Sequence, residues 1–126
     1  MTASIYIFLL TLILTYTILK IVRIRMTKRI GLGDGDDPEL IRAIRVHGNF
    51  VEMVPFGIVI LLVLELQDAP VIALHLYGAA WVIARIAHAQ GIYSTPGTSM
   101  GRTVGAVGSL LLLLGGALAA AVMAVL

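Results

Sequence analysis

The stretch RAIRVHGNFVEMVP, Arg42 to Pro55, sets two arginines, a histidine, an asparagine and a glutamate into a chain that is otherwise strongly apolar. Residues on an α-helix advance by about 100° each, so Arg42, Arg45, Asn49 and Glu52 fall within an arc of about 80° and form one stripe. His47 points elsewhere. Pro55 removes one backbone hydrogen bond and is expected to bend the helix, a feature that membrane helices often tolerate. The fold turns on what surrounds this stripe.

The surroundings are those of a membrane protein. Of the 126 residues, 60% are hydrophobic and 13% are charged, against roughly 25% charged in soluble domains. The mean hydropathy is +1.02. A soluble domain of this size has too much surface per unit volume to hide so much apolar area. The chain has no cysteine, which excludes a disulfide framework, a thiolate metal site and a cysteine nucleophile. The net charge of +2 does not point to nucleic acid, because the cations border apolar segments, where membrane topology accounts for them. The N-terminus, MTASIYIFLL, lacks the basic leader of a signal peptide.

A helix that crosses a bilayer needs about 20 mostly apolar residues, and spans are expected at about 4–22, 38–66, 70–90 and 102–126. The expected fold is all-α, one four-span bundle. GLGDGDDPE joins the first two spans, with Asp37 as N-cap and Pro38 as first helical residue. ELQDAP is a tight second loop, and GIYSTPGTSMG a flexible third. With antiparallel spans, all nine Lys and Arg fall on one side of the membrane. The positive-inside rule then places the first and third loops in the cytoplasm and both termini opposite.

Topology does not require Arg45, Asn49 and Glu52 to reach several turns into a span. Ionisable groups at that depth face a bundle interior or a wet cavity. One reading has Arg45 and Glu52 pairing with each other or with neighbouring helices. The other is a polar pocket, in which arginine forks bind carboxylates and Asn and Glu hold amide and ammonium groups. Arg85 and His88, at i and i+3, share a face of the third span. Arg102 opens the fourth, where the helix dipole adds to its positive field and suits an anion such as a thiolate; setting topology would explain it equally well. His47, His75 and His88 have no metal-ligand spacing, so no metal site is expected. Gly101, Gly105 and Ser109 recur every four residues, a pattern for close helix packing.

With these residues in place, the chain resembles a bacterial member of the MAPEG family, the membrane-associated proteins in eicosanoid and glutathione metabolism. DPELIRAIRVHGNFVEMVP resembles the family's R-x-x-R-x-H/Q-x-N-x-x-E-x-x-P element, and ARIAHAQGIY followed by GR resembles its third and fourth spans. The resemblance implies a homotrimer of four-helix subunits in a bacterial inner membrane, with glutathione bound between neighbouring subunits. It implies conjugation of the glutathione thiolate to lipophilic electrophiles, sometimes with peroxidase activity. By position, Arg45, Asn49, Glu52 and Arg85 match glutathione-binding residues, and Arg102 matches the arginine that stabilises the thiolate. Arg23 or Arg25 matches a basic contact from the first span, and VRIR favours Arg23. His88 replaces one family tyrosine. Ile92 replaces another, with Tyr93 one step away, so His88 and Tyr93 are the candidate substitutes. Two other readings stay open: a glutathione- or lipid-binding protein without turnover, and a small proton-coupled transporter with Glu52 as its intramembrane acid.

Overall fold

The computed structural model describes residues 1–125. The chain forms four helices, α1 (Thr2–Lys28), α2 (Pro38–Leu66), α3 (Val71–Ser94) and α4 (Met100–Met123). All four are long and apolar enough to cross a membrane, and the described residues contain no strand. The first helix continues past the apolar run to Lys28, because nothing breaks it before Arg29 turns into the left-handed region (φ 55°). The third begins at Val71 and runs on to Ser94. The fourth starts at Met100, two residues before Arg102. The expected end of the fourth span, Leu126, lies outside the described residues.

Helices α2 and α3 each pack against all the others, whereas α1 and α4 do not touch among the described residues. The bundle centre holds Leu10, Phe50, Val54 and Trp81. Trp81 is 1% exposed because α2 carries Gly57 opposite it: a Cβ there would overlap the indole ring. Helix α4 buries only small residues, Gly105, Ser109 and Gly116. Its outward Leu111, Leu114 and Leu118, like Phe8 on α1 and Phe56 on α2, remain exposed, as suits a surface that meets lipid or another subunit.

The loops act as sequence chemistry requires. Asp37 caps α2, its carboxylate accepting from the Glu39 and Leu40 N–H groups at 3.1 and 2.9 Å, with Pro38 at the first helical position. Lys28 donates to Asp37 and Glu39 at 2.7 and 2.9 Å and so ties the end of α1 to the start of α2. The Asp37 carboxyl is held below the usual carboxylate range, first by the hydrogen bond from Lys28 and then by the Leu40 N–H. Gly33 and Gly35 take positive φ (68° and 60°), a conformation that costs glycine little. Pro55 sits within α2, and the helix runs through it uninterrupted.

The two ends of the bundle differ. At the end holding the second loop and both termini, the Thr2 and Ala3 N–H groups donate to the Glu65 carboxylate, capping α1 from α2. Tyr6 O–H meets His75 Nδ1 at 2.8 Å, and Gln67 donates to the Ala120 carbonyl at 3.1 Å. The end with the first and third loops carries the arginines and the candidate site.

Candidate functional site

Helix α3 supplies the middle of the site. Arg85 and His88 project from one face of α3, and that face is buried: they are 2% and 5% exposed. The Arg85 guanidinium donates to the Gly105 carbonyl at 2.9 Å and to Ser109 Oγ. It also reaches the Asn49 carbonyl at 3.5 Å and lies 3.9 Å from Met53 Sδ. One side chain therefore binds α2, α3 and α4 together. No carboxylate pairs with it among the described residues, and its Nε is buried without a partner.

His88 links the same face to the head of α4. Its Nδ1 lies 3.0 Å from the Arg102 carbonyl. A carbonyl only accepts, so Nδ1 carries the proton, and Nε2 is left buried and unpartnered. The two helices come this close because of glycine. A Cβ at Gly91 would overlap the Arg102 backbone nitrogen, and one at Gly105 would meet the His88 side chain and the Ala84 carbonyl. Ser99 completes the junction. Its hydroxyl donates to the Gly91 carbonyl at 3.0 Å and accepts from the Arg102 N–H at 3.2 Å, which makes it the α4 N-cap. Arg102 is half-buried, and its guanidinium approaches the Gly97 carbonyl at 3.5 Å.

The stripe on α2 lies on the outside of the single chain. Arg45 and Glu52 are exposed and Asn49 is half-buried. Asn49 Nδ2 donates to the Arg45 carbonyl at 2.9 Å. The side chains of Arg45 and Glu52 form no ion pair with each other or with any other described residue. The stripe borders the α4 side of α2, since Asn49 and Met53 are the α2 residues that Arg85 reaches.

Arg23 and Tyr93 stand apart from that group. Arg23 is exposed on α1 and lines an open cleft of about 560 Å³ with Tyr16, Lys20, Lys28 and Glu39. Tyr93 turns to α1 as well: the Lys20 ammonium lies 3.5 Å from its ring centroid, and the Tyr16 ring meets it edge-on at 6.4 Å. Its hydroxyl is buried without a partner. Ile92, at the place of the family tyrosine, is 4% exposed. The structure thus brings Arg85, His88 and Arg102 together, places Asn49 beside them, and leaves Arg23 and Tyr93 apart from them, in two adjoining spaces along α1.

Several polar contacts were not foreseen from the sequence. Thr17, fully buried in α1, donates to the Leu14 carbonyl at 2.7 Å and meets His47 Nδ1 at 3.1 Å. The hydroxyl proton is used on Leu14, so the oxygen accepts from the imidazole. A threonine in an apolar run with a histidine on the next helix was the available signal. Ser109 gave none beyond its place in a small-residue series. Among the described residues no group of three His, Asp or Glu side chains could hold a metal ion.

The comparisons with known proteins agree with this architecture. A family model described as the MAPEG family matches residues 3–122. Two curated relatives, both called "Inner membrane protein YecN", come from Escherichia coli strain K12 and Escherichia coli O6:H1. Each is 37% identical over 93 residues, which cover 74% of this chain and 71% of the relative. No solved structure gives a significant match.

Proposed function

Because the chain belongs to the MAPEG family, we propose that it is a glutathione transferase of a bacterial inner membrane, conjugating the glutathione thiolate to lipophilic electrophiles. The observation that carries this reading is the α2 stripe. Arg45 and Glu52 occupy a helix fit to span a membrane, yet are exposed and unpaired in the single chain. Charges at that depth are costly in lipid and call for a polar cover. A second copy of the chain, with a ligand between them, supplies it, and a homotrimer is the assembly expected of the family. A ligand with two carboxylates, an ammonium and peptide groups fits arginine forks beside an asparagine and a glutamate.

The roles are those that the family resemblance assigns by position. Arg45, with Arg23 of a neighbouring copy, binds the carboxylates, while Asn49 and Glu52 hold the peptide and ammonium groups. Arg85 fixes the positions of α2 and α4 and so sets where the binding residues of both helices stand. Arg102, in the first turn of α4, faces the sulfur. A cation beside the helix N-terminus favours the charged form of a thiol, which near its ordinary pKa of ~8.5 is mostly protonated at neutral pH. The thiol proton leaves to water, the thiolate forms a bond to the electrophilic carbon, and the leaving group departs with its electron pair. The lipophilic substrate enters from the bilayer, and the first and third loops lie in the cytoplasm, where glutathione is present.

Ultraviolet difference absorbance of bound thiolate, on adding glutathione to the detergent-purified protein, tests the proposal. The wild type should show the thiolate band. Arg102→Ala should lose it while still binding glutathione by calorimetry. Equal conjugation of chlorodinitrobenzene by wild type and Arg102→Ala would remove the mechanism. One observation favours a second reading: Ile92 is buried where the family has a tyrosine, and Tyr93 turns toward Lys20 and Tyr16 of α1. A protein that binds glutathione without turnover would give the calorimetric signal and no conjugate.

A further inference from the structure

Two adjoining spaces open along α1, one against the start of α2 and one against α3. Below the cleft of Lys20 and Arg23 runs a groove of about 350 Å³ formed by Leu12, Ile13, Ile86 and Ala89, with Tyr16, Gln90 and Tyr93. Tyr16 lines both spaces, and Lys20 of the upper cleft, which is formed by α1 with Glu39 of α2, rests on Tyr93 of the lower groove, so the two adjoin. Leu12 to Arg23 rises roughly 16 Å along α1. Over that length the lining passes from aliphatic, through two tyrosines, to cationic.

The charge of the upper cleft is unbalanced. Lys20, Arg23 and Lys28 line it against one carboxylate, Glu39, and Lys28 already bridges Glu39 and Asp37. Lys20 and Arg23 form no ion pair with any described residue. The buried Tyr93 hydroxyl, without a partner, leaves one more donor at the junction. Tyrosines at the boundary of the apolar zone, with cations above them, form the sequence of chemistries met along a membrane lipid. Basic pockets between spanning helices bind anionic headgroups.

We propose that the α1–α3 groove and the α1 cleft adjoining it form a binding site for an anionic phospholipid, its phosphate on Lys20 and Arg23 and one acyl chain along Leu12, Ile13, Ile86 and Ala89. A water-soluble peptide has nothing to fill the lower groove, and a neutral lipid leaves the two cations uncompensated. The site shares Arg23 with the proposed glutathione site, so the test is placed on Lys20 and Ala89, which that site does not use, and it is assayed without glutathione, so either reading can fail alone.

Native mass spectrometry of the protein released from nanodiscs with equal parts phosphatidylglycerol and phosphatidylcholine of identical chains tests it. Two cations near an anionic headgroup give a roughly thirtyfold preference for phosphatidylglycerol adducts, and Lys20→Gln lowers it about fivefold, with Lys20→Arg restoring it. Ala89→Trp, which fills the groove, removes the adduct at unchanged subunit stoichiometry. Equal retention of the two lipids, or an unchanged preference in Lys20→Gln, overturns the proposal. Displacement of the lipid by inorganic phosphate alone overturns it in favour of a free anion. Loss of subunits in Ala89→Trp overturns it in favour of a second copy lying in the groove. Lys20 is half-buried and forms no ion pair among the described residues, so Lys20→Gln decides the matter even if Ala89→Trp does not fold.

Discussion

The α3–α4 seam and the α1–α3 seam are built from opposite materials. The first is closed by Gly91, Gly101 and Gly105, which let backbone meet backbone, and is pinned by Arg85 and His88. The second holds tyrosines and long aliphatics, with Lys20 at its upper end, and leaves open a groove. Small residues make a seam that fixes position, and large ones that cannot interlock leave room for a ligand. The tight seam sets where the head of α4, and so Arg102, stands, and the loose one offers surface.

The contrast breaks most easily at Gly105. Gly105→Leu drives a side chain into His88 and the Ala84 carbonyl and should cost about 3 kcal/mol, the upper end for overpacking, because backbone stands in the way. Thermal unfolding in detergent reads this, and Gly108→Leu, which meets nothing within 4 Å, should stay within about 0.5 kcal/mol of wild type. Equal losses in the two would erase the distinction between faces of α4. Arg85→Ala removes bonds to Gly105 and Ser109 and leaves a cavity, with an expected loss of about 3 kcal/mol. A stability equal to wild type would mean that the arginine binds nothing the fold needs.

A smaller effect is expected between α1 and α2. Thr17→Val keeps the shape and removes the acceptor for His47, for a loss of about 1 kcal/mol. The smallest lies in the first loop. Asp37→Asn keeps a capping residue and deletes the charge that Lys28 meets. Because the Asp37 carboxyl is held below its ordinary range, its contribution is present at neutral pH and fades as pH falls through that lowered value. The melting difference between wild type and Asp37→Asn should therefore shrink on acidification, and a gap that widens would contradict the assignment.

Much of this was legible in the sequence for physical reasons. Span length follows from bilayer thickness, the Asp37–Pro38 start from unpaired helix N–H groups, and the packing of α4 from its small residues. The α2 stripe could be drawn from periodicity alone. The partners of Arg85 could not, since a guanidinium held by a carbonyl and a serine leaves no acidic residue to find. Nor could the turn of Tyr93 toward Lys20, because it depends on how α1 leans on α3. Sequence spacing gives faces of one helix, and the seam that each face enters is decided by tertiary packing.

The carboxylate of Glu65 has a consequence for how the chain is assembled. It satisfies the Thr2 N–H from 63 residues away, so the opening turn of α1 stays incomplete until α2 has crossed the bilayer and returned to the same leaflet. The helical hairpin of α1 and α2, and not the single helix, is then the unit that matures during biogenesis. A ribosome-bound chain arrested before Glu65 emerges would present a frayed first turn, open to proteases, that closes once synthesis passes that residue.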